Sequence, residues 1–384
     1  MKVLFVYPRM YVYGGAELLM VRLANYLSRN GIRNGLLTTY ILPEIEKDFI
    51  NTQLIQYPPI SHHDRNDQKR YHPLKLLWLL NKGVRQHLNH FDLINVHNYP
   101  AEFSTLPHQK PVVWMCNEPL DVAVQVRLDR TSKLSPKRPL FKGLLAFERY
   151  VVRTYVKNAV VADAFNKERF IKLYGFDPHV ISYGIDYDYF AANPSQTTRK
   201  SNGAFRVLHV GMLTPLKNQM ESIKAIAKLK GAIPDIKLTL AGLGEGQYLE
   251  SIKAYLSDHQ LGDHVDITGH LTREQIRDLF HTSNALLHPI GSQGGWLSPF
   301  EAICAGLPIV VSPDMTASDI VQKENLGVVT RDYAGALMDI YQKPESYDEM
   351  KDRRAAWVRD NLSWDKFSEN MLHVFQKTLS QNKP

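Results

Sequence analysis

The chain twice runs from a compact apolar strand through a glycine-bearing turn into an amphipathic helix. The first pass starts with KVLFVY at residues 2–7, followed by YGGAE and a helical apolar stripe; the second starts with FRVLHVGML at 205–213. Parallel strands need crossover helices, so this alternation predicts parallel sheets. The 384 residues also exceed what one hydrophobic core usually supports. We therefore predict an α/β chain of two doubly wound parallel-sheet domains.

A small, polar stretch, ANPSQTTRKSNGAF, has no apolar period and bears proline and glycine, as interdomain linkers do. It predicts a first domain over 1–190, a linker over 191–204 and a second domain over 205–362. The last segment, 363–384, is expected to be a helix that packs back on the first domain.

Composition narrows the function classes. The chain has 44% hydrophobic and 22% charged residues, and its two cysteines, Cys116 and Cys304, lie far apart in apolar surroundings. This cysteine usage argues against a disulfide framework and a thiolate metal site, and it favours a reducing, cytoplasmic setting. No apolar run has the length of a signal or membrane-spanning segment. The histidines of the polar loop at 56–73 lack a metal-like spacing, so we expect neither a metal nor a cofactor.

The positive charge is concentrated in the first half. Residues 1–190 hold 25 Lys and Arg against 17 Asp and Glu, and residues 122–172 hold 12 against 4. Such a run is either a solvated face or a surface for anionic lipid headgroups, which we favour over nucleic acid. A predicted helix from Pro139 places Leu140, Phe147 and neighbouring apolar residues opposite its basic residues, and core packing explains such an apolar face in most helices.

The stretch GSQGGWLSPFEAICAGLPIVVS, from 291 to 312, predicts a glycine-rich loop, a short helix and a strand. Ser298 suits the N-cap and Pro299 the first helical position. A helix starting there would present N–H groups and a positive dipole end to a phosphate. Ser298 and Glu301 also have the spacing of a capping box, which needs no ligand.

Other strands of the second half end in glycines at 211, 242 and 269, and parallel sheets bind ligands at this carboxyl edge. Lys217 follows the first of these glycines and is either a phosphate ligand or a solvated lysine. Gly242 and Gly244 permit close approach of a ligand. Gly246 does not have the spacing that a dinucleotide-binding fingerprint requires, so the sequence disfavours an NAD-dependent enzyme.

These features together resemble the retaining glycosyltransferases of family 4. The resemblance spans almost the whole chain and is carried by YGGAE, ISYGIDYDYF, HVGMLTPLKNQ, AGLGEG, ITGHL, SPFEAICAGLPIV and WDKF. It implies the GT-B architecture, two facing Rossmann-like domains with a cleft between them.

The resemblance also implies roles for individual residues. Glu301 would bind the ribose hydroxyls of a nucleotide donor, and Lys217 would neutralise its diphosphate. His97 would lie near the cleft or serve as a structural histidine, and Glu118 would lie in the same vicinity. Further donor-binding positions would be Gly14, Gly15, Gly211, Met212, Gly242, Gly244, Gly269, Gln293, Gly294, Leu297, Ser298, Pro299 and Phe300.

Three positions depart from the family pattern. Gln293 stands where a second glutamate is usual, Met212 where an arginine is common, and Asn117 where a histidine contacts the donor sugar. Gln293 and Asn117 can still hydrogen-bond sugar hydroxyls. Met212 removes a cation, and one lost charge-assisted bond costs about 1.5–3 kcal/mol.

The resemblance implies transfer of a hexose from a nucleoside diphosphate sugar, with UDP the expected nucleotide, to a hydroxyl with retained configuration and without a metal. Lys217, Gln293 and Asn117 would carry the chemistry. The acceptor would be a glycan or a lipid-linked glycan, at the inner face of a membrane through residues 122–172, and no nucleic acid is expected. The alternatives are a non-catalytic sugar-nucleotide binding protein and, more weakly, a sugar-nucleotide epimerase.

Overall fold

A computed structural model describes residues 1–57, 73–106, 110–129, 135, 137–193, 203–244, 246–291 and 296–381. Gln293, Gly294, most of the loop at 56–73 with its histidines, and linker residues 194–202 lie outside these ranges. The chain divides into two compact units, which we call the first unit (Met1–Gly184 with Trp364–Pro384) and the second unit (Ile185–Ser363).

The division falls a few residues before the predicted end of the first domain at 190. Backbone pairing explains its position, because the Ile185 N–H donates to the Leu362 carbonyl at 2.8 Å. Ile185 also forms a parallel bridge with Ser363. Both ends of the second unit are therefore tied together where the chain enters and leaves it.

In the described ranges of the first unit, seven parallel strands form one sheet. They are β1 (Lys2–Val6), β2 (Arg33–Thr38), β3 (Thr52–Gln56), β4 (Leu93–His97), β5 (Val112–Met115), β6 (Asn158–Val161) and β7 (His179–Val180). Their order in the sheet is β3-β2-β1-β4-β5-β6-β7. The chain changes direction across the sheet between β1 and β4, so the ends of these two strands mark its switch point.

Helices connect these strands. They are α1 (Gly15–Arg29), α2 (Pro43–Glu46), α3 (Pro73–His87), α4 (Leu120–Asp129), α5 (Lys137–Tyr155) and α6 (Ala164–Tyr174), with short 3₁₀ turns at Leu88–His90 and Ala101–Thr105. A buried cluster of strand and helix residues, including Leu4, Val96 and Trp114, forms the core.

The face of α5 differs from the predicted one. Leu140 is 71% exposed and Phe147 is 46% exposed, whereas Leu145, Val151 and Val152 are buried. The helix is turned so that Val152 joins the main core and Leu145 packs against α4. The apolar residues of α5 therefore lie on two faces of the helix, and only one of these faces is buried.

The described part of the second unit contains a sheet of six parallel strands, β8 (Arg206–Val210), β9 (Lys237–Ala241), β10 (Val265–Gly269), β11 (Ala285–His288), β12 (Ile309–Val311) and β13 (Val328–Val329). Their order is β10-β9-β8-β11-β12-β13, with a switch point between β8 and β11. The prediction of two doubly wound parallel-sheet domains is confirmed.

The helices of this unit are α7 (Tyr187–Ala191), α8 (Gln219–Leu229), α9 (Gly246–Asp258), α10 (Arg273–Thr282), α11 (Leu297–Cys304), α12 (Ser318–Lys323), α13 (Tyr333–Gln342), α14 (Pro344–Asp348) and α15 (Lys351–Asn361). The chain then returns to the first unit as α16 (Trp364–Gln381), which packs on α1. Across the described part of the chain, no helix combines the length and apolarity needed to cross a membrane.

Candidate functional site

The loops that follow β8 and β11 are joined at the switch point of the second unit. The Asn218 side-chain amide donates to the Pro289 carbonyl at 3.0 Å. The Gly291 N–H donates to the Leu216 carbonyl at 3.1 Å. Because these bonds link the two loops, the ends of the neighbouring strands β8 and β11 form one connected edge.

Glycines allow the loops after β8 and β9 to lie in direct backbone contact. The Gly211 N–H donates to the Ala241 carbonyl at 2.9 Å, and the Leu213 N–H donates to the Leu243 carbonyl at 2.7 Å. A Cβ at Gly242 would lie 2.1 Å from the Gly211 carbonyl oxygen. Only glycine at 242 permits this close approach, and backbone atoms therefore form the surface of the sheet edge at this point.

Lys217 lies on the loop after β8, beside Gly211. Its Cδ would be 3.6 Å from a Cβ placed on Gly211, and its N–H donates to the Thr214 carbonyl at 3.0 Å. Burial, and next the Lys217 charge, lower the pKa of His209 beneath the loop to about 3. Met212, on the same loop, is 56% exposed. The loop thus carries the Lys217 cation and the exposed apolar side chain of Met212.

Helix α11 begins earlier than the sequence predicted. Its N-cap is Trp296, which makes no side-chain cap, and its first residue is Leu297. The structure therefore contradicts three predictions: Ser298 as the N-cap, Pro299 as the first helical residue, and the capping box. Trp296 is fully buried with its ring 5.0 Å from that of Phe300, and this packing starts the helix before Ser298. Pro299 and Phe300 are buried, so only their backbone could face a ligand.

Glu301 is a partly buried carboxylate on the second turn of α11. Burial raises its pKa to about 7, while the charge of Arg273 lowers it and that of Asp186 raises it. Arg273 donates to Asp186 at 2.6 Å. Sequence reasoning missed both residues. The available signal was a cation at the first position of α10, where a helix normally favours an acid.

The carboxyl edge of the first unit carries a chain of hydrogen bonds. The Tyr183 hydroxyl donates to Asn117 Oδ1 at 2.9 Å, and Asn117 Nδ2 donates to Asn98 Oδ1 at 2.9 Å. Asn98 Nδ2 then donates to the Tyr7 hydroxyl, which donates to Glu17 Oε1, both at 2.7 Å. Every donor points toward Glu17, an arrangement in which each bond strengthens the next. Asn117 is thereby held in one orientation.

Gly14 and Gly15 lie at the start of α1 on the same unit. The Gly14 N–H donates to Glu17 Oε2 at 3.1 Å, which closes the first turn of the helix. Glu118 follows Asn117 and is partly buried. Gly14 and Gly15 therefore lie beyond the carboxyl end of β1, and Glu118 lies beyond that of β5.

His97 is fully buried below this edge. Its Nε2 lies 2.6 Å from Asn95 Oδ1, and its ring stacks with that of Tyr7 at 6.5 Å. Burial lowers the pKa of His97 to about 3, so the imidazole is neutral. Of the two roles expected for this residue, the burial matches that of a structural histidine.

A doubly wound parallel sheet whose switch-point edge carries glycines, a lysine and a carboxylate has the architecture of a nucleotide-binding protein. Two family models match this chain. The Glycosyltransferase Family 4 model matches residues 13–189, and the Glycosyl transferases group 1 model matches residues 193–357. The chain belongs to the family 4 glycosyltransferases, as its motifs indicated.

Curated relatives match over part of their length. A GDP-mannose-dependent alpha-(1-6)-phosphatidylinositol monomannoside mannosyltransferase of Mycolicibacterium smegmatis is 25% identical over 198 residues, 47% of this chain and 51% of the relative. A glycogen synthase of Mycobacterium tuberculosis is 29% identical over 191 residues, 48% of this chain and 44% of the relative. The chain spans about half the length of these curated relatives.

Solved structures match over nearly the whole chain. HepE of Anabaena, in complex with UDP and glucose, has a TM-score of 0.79 at 18% identity, covering 98% of this chain and 100% of that one. The sucrose-phosphate synthase of Thermosynechococcus elongatus has a TM-score of 0.80 at 16% identity, covering 99% and 100%. These similarities establish the shared GT-B fold.

Proposed function

We propose that this protein transfers a hexose from a nucleoside diphosphate sugar to a hydroxyl of a glycan or lipid-linked glycan, with retained configuration and without a metal ion. The observation that carries the proposal is the connected switch-point edge of the second unit, where Lys217 lies beside Gly211 on the loop after β8 and Glu301 lies on α11, the helix that follows β11. UDP is the proposed nucleotide, supported by the UDP complex of HepE.

Lys217, Glu301 and Asn117 each have a task in the proposed reaction. Lys217 and the N–H groups at the start of α11 stabilise the negative charge that develops on the departing diphosphate. The Glu301 carboxylate accepts hydrogen bonds from the ribose hydroxyls. The Asn117 amide, held by Tyr183 and Asn98, hydrogen-bonds a sugar hydroxyl.

The nucleotide is tested first, by thermal denaturation with uridine, guanosine and adenosine diphosphates. A ligand that binds only the folded state raises the melting temperature. We expect UDP to give the largest rise. A larger rise with GDP would replace UDP in the proposal and leave the reaction class intact.

The role of Lys217 is tested with Lys217→Ala, followed by release of UDP from UDP-glucose and other UDP sugars. Loss of one charge-assisted contact to the diphosphate predicts a rate lower by about 10- to 100-fold. Lys224→Ala is the matched control, because Lys224 is exposed and pairs with Glu221 at 2.8 Å. Equal transfer and donor hydrolysis in Lys217→Ala and wild type would refute the assignment.

A second candidate is a sugar-nucleotide binding protein without catalytic activity. The exposed Met212 favours it, since no cation stands at that position of the loop. Tight UDP-sugar binding without diphosphate release, across a range of hydroxyl acceptors, would favour this candidate. Met212→Arg introduces the missing cation and distinguishes the two candidate functions, because we expect it to raise turnover only if the protein is an active enzyme.

We further propose that α5 holds the protein at an anionic membrane surface near its acceptor. Leu140 is 71% exposed, Phe147 46% and Tyr150 57%, and the exposed Lys142 lies on the same helix. Exposed apolar groups beside cations suit an interface with anionic lipid. Leu140→Ser combined with Lys142→Glu should reduce co-sedimentation with anionic vesicles, with Lys224→Glu as control. Equal pelleting of the wild type with neutral and anionic vesicles would contradict the electrostatic part of this proposal.

A further inference from the structure

Glu17 closes the YGGAE stretch and has no task in the proposed reaction, yet a chain of hydrogen bonds ends on it. The Tyr7 hydroxyl donates to Glu17 Oε1 at 2.7 Å, and the Gly14 N–H donates to Glu17 Oε2 at 3.1 Å. Each carboxylate oxygen therefore has its own donor. We give the name amide chain to Tyr183, Asn117, Asn98, Tyr7 and Glu17, which all belong to the first unit.

The members of the amide chain come from separate elements. Tyr7 directly follows β1, Asn98 directly follows β4, and Glu17 lies on α1. The Asn98 Nδ2 donates to the Tyr7 hydroxyl at 2.7 Å, and the Asn117 Nδ2 donates to Asn98 Oδ1 at 2.9 Å. The Tyr183 hydroxyl donates to Asn117 Oδ1 at 2.9 Å. Every link lies within ordinary hydrogen-bond distance, so a change at Glu17 reaches Asn117 through direct contacts.

The carboxylate fixes the direction of the chain. An ionised carboxylate only accepts, so Tyr7 must give its single hydroxyl hydrogen to Glu17. Burial, and next the Glu17 charge, raise the pKa of Tyr7 well above its usual value, so the hydroxyl keeps this hydrogen. The Tyr7 oxygen can then only accept, and Asn98 must present its Nδ2 to it. Asn98 Oδ1 therefore faces Asn117, which donates from Nδ2.

This direction leaves Asn117 with one arrangement of its polar atoms. Among the described residues its side chain makes two hydrogen bonds, to Asn98 and from Tyr183. One N–H and one oxygen lone pair of the amide therefore remain for a ligand. In a reversed chain the amide nitrogen and oxygen of Asn117 would exchange places. The direction thus decides whether a sugar hydroxyl meets a donor or an acceptor.

We propose that Glu17 is a positioning residue that sets the direction of the amide chain and so determines how the Asn117 amide faces the donor sugar. This inference rests on the proposed function, in which Asn117 hydrogen-bonds a sugar hydroxyl. Glu17 itself touches no substrate in this account. It acts on Asn117 through Tyr7 and Asn98.

Glu17→Gln should reverse the chain without changing the size of the side chain. Glutamine has one accepting oxygen, whereas two donors, the Gly14 N–H and the Tyr7 hydroxyl, face this position. If the oxygen keeps the Gly14 bond, the new amide nitrogen faces Tyr7 and donates to it. Each later link then turns round, and all four links are kept. Asn117 would donate to Tyr183 and accept from Asn98.

The test compares binding of UDP with that of UDP-glucose, UDP-galactose and UDP-N-acetylglucosamine, by calorimetry without acceptor. Burial raises the pKa of Glu17 and the bond from Tyr7 lowers it, so measurements at pH 8 favour the ionised carboxylate. We expect Glu17→Gln to weaken the tightest UDP sugar by about 2- to 10-fold, the loss of one hydrogen bond, and to leave UDP unchanged. An equal loss for UDP and the UDP sugar would mean a structural role and would overturn the proposal.

A double-mutant cycle tests whether Glu17 acts through Asn117. Asn117→Ala removes the amide, and we expect it to weaken the same UDP sugar while UDP binding is kept. Adding Glu17→Gln to this variant should cause no further loss, because residues that act through one contact are not additive. Additive losses would show that Glu17 acts by another route.

A second carboxylate provides the rescue. Asn98→Asp, added to Glu17→Gln, places an acceptor-only group between Tyr7 and Asn117, so both must donate to it and the amide of Asn117 returns to its original orientation. Asn98 has a φ of 57°, which asparagine and aspartate both tolerate. We expect the double variant to regain the wild-type affinity for the UDP sugar. Unchanged weak binding of the UDP sugar, with UDP bound as in the wild type, would contradict the proposal.

Glu168→Gln is the matched control. Glu168 is an exposed glutamate on α6 of the same unit and is not part of the amide chain. Its substitution removes the same charge, and we expect unchanged binding of UDP and the UDP sugar. Equal weakening in Glu168→Gln and Glu17→Gln would reduce the effect to net charge and overturn the role of Glu17.

The outcomes separate this inference from the function on which it depends. A wild type that binds no nucleoside diphosphate would remove the proposed function and the inference with it. A wild type that binds UDP sugars no better than Asn117→Ala does would remove Asn117 as a sugar ligand. A loss in Asn117→Ala without any loss in Glu17→Gln would overturn only the role of Glu17.

Discussion

Substitution of Gly242 by alanine should distort the proposed nucleotide site through a backbone clash. The new Cβ would lie 2.6 Å from the Gly211 carbonyl carbon and 2.1 Å from its oxygen, and the distance to the oxygen is more than 1 Å short of ordinary contact. The two loops are tied on either side of this point by the Gly211 to Ala241 and Leu213 to Leu243 hydrogen bonds. No flexible side chain can move aside, so the loop that carries Lys217 must shift.

The expected magnitude follows from this overlap. Overpacking of this kind costs about 1–3 kcal/mol, and each kcal/mol lowers the melting temperature by about 2–4 °C in a unit of this size. A displacement near 1 Å of the loop that carries Lys217 should also weaken UDP binding by about tenfold or more. Both quantities are measured directly, by thermal denaturation and by calorimetry with UDP.

Two alanine controls separate the site effect from lost stability. A Cβ at Gly262 has no neighbour within 4 Å, so Gly262→Ala should leave both quantities unchanged. A Cβ at Gly327 would lie 2.2 Å from Ile309 Cγ1, away from the loops of the site, so Gly327→Ala should lower stability but keep UDP affinity. If Gly242→Ala binds UDP as tightly as Gly262→Ala, the contact between the loops does not shape the site.

Three further predictions concern the first unit. Burial, helped by the charge of Glu148, raises the pKa of Glu102 well above its usual value, and its two buried oxygens have no hydrogen-bond partner among the described residues. The unfolded chain ionises this group above about pH 4.3, whereas the folded chain ionises it only at a higher pH, so stability falls as the pH rises through the interval between the two pKa values. Glu102→Met should therefore stabilise the protein more at pH 8 than at pH 5. A gain in melting temperature that is equal at both pH values would contradict this. Tyr183→Phe removes the first donor of the hydrogen-bond chain and should lower the free energy of unfolding, measured in urea, by about 0.5–1.5 kcal/mol. Tyr150→Phe is the control, because Tyr150 is exposed and its substitution should leave this free energy nearly unchanged. Asp163→Ala removes the N-cap side chain that accepts from a backbone N–H at 2.8 Å, and it should lower the free energy of unfolding by about 0.5–2 kcal/mol. Asp177→Ala removes one partner of an exposed ion pair and should lower it by less than about 1 kcal/mol.

The local pattern of the sequence predicted the elements well. The strand, glycine and helix order determined two parallel sheets, because each step depends on neighbours within one βαβ unit. The glycines at 211, 242 and 269 were placed at the sheet edge for the same reason, since parallel strands share one carboxyl edge. Family membership followed from motifs that are themselves short and local.

The orientation of helix faces was less predictable. The apolar residues of α5 were expected on one buried face, yet Leu140 and Phe147 are exposed while Leu145 and Val152 are buried. Helical spacing identifies which residues share a face but not which neighbour the helix meets. Ser298 failed as a cap for a similar reason, because burial of Trp296 against Phe300 decided where α11 begins.

The sequence by itself determined the fold class, the family and the positions of Lys217 and Glu301 within their motifs. Only the tertiary structure paired Asp186 with Arg273, which lie 87 residues apart in the chain, and joined Tyr183 to Asn117 across 66 residues. Such contacts leave no periodicity in the sequence, because they depend on where whole elements pack. Local periodicity specifies helices and strands, whereas the charges that act on a carboxylate are set by the folded arrangement around it.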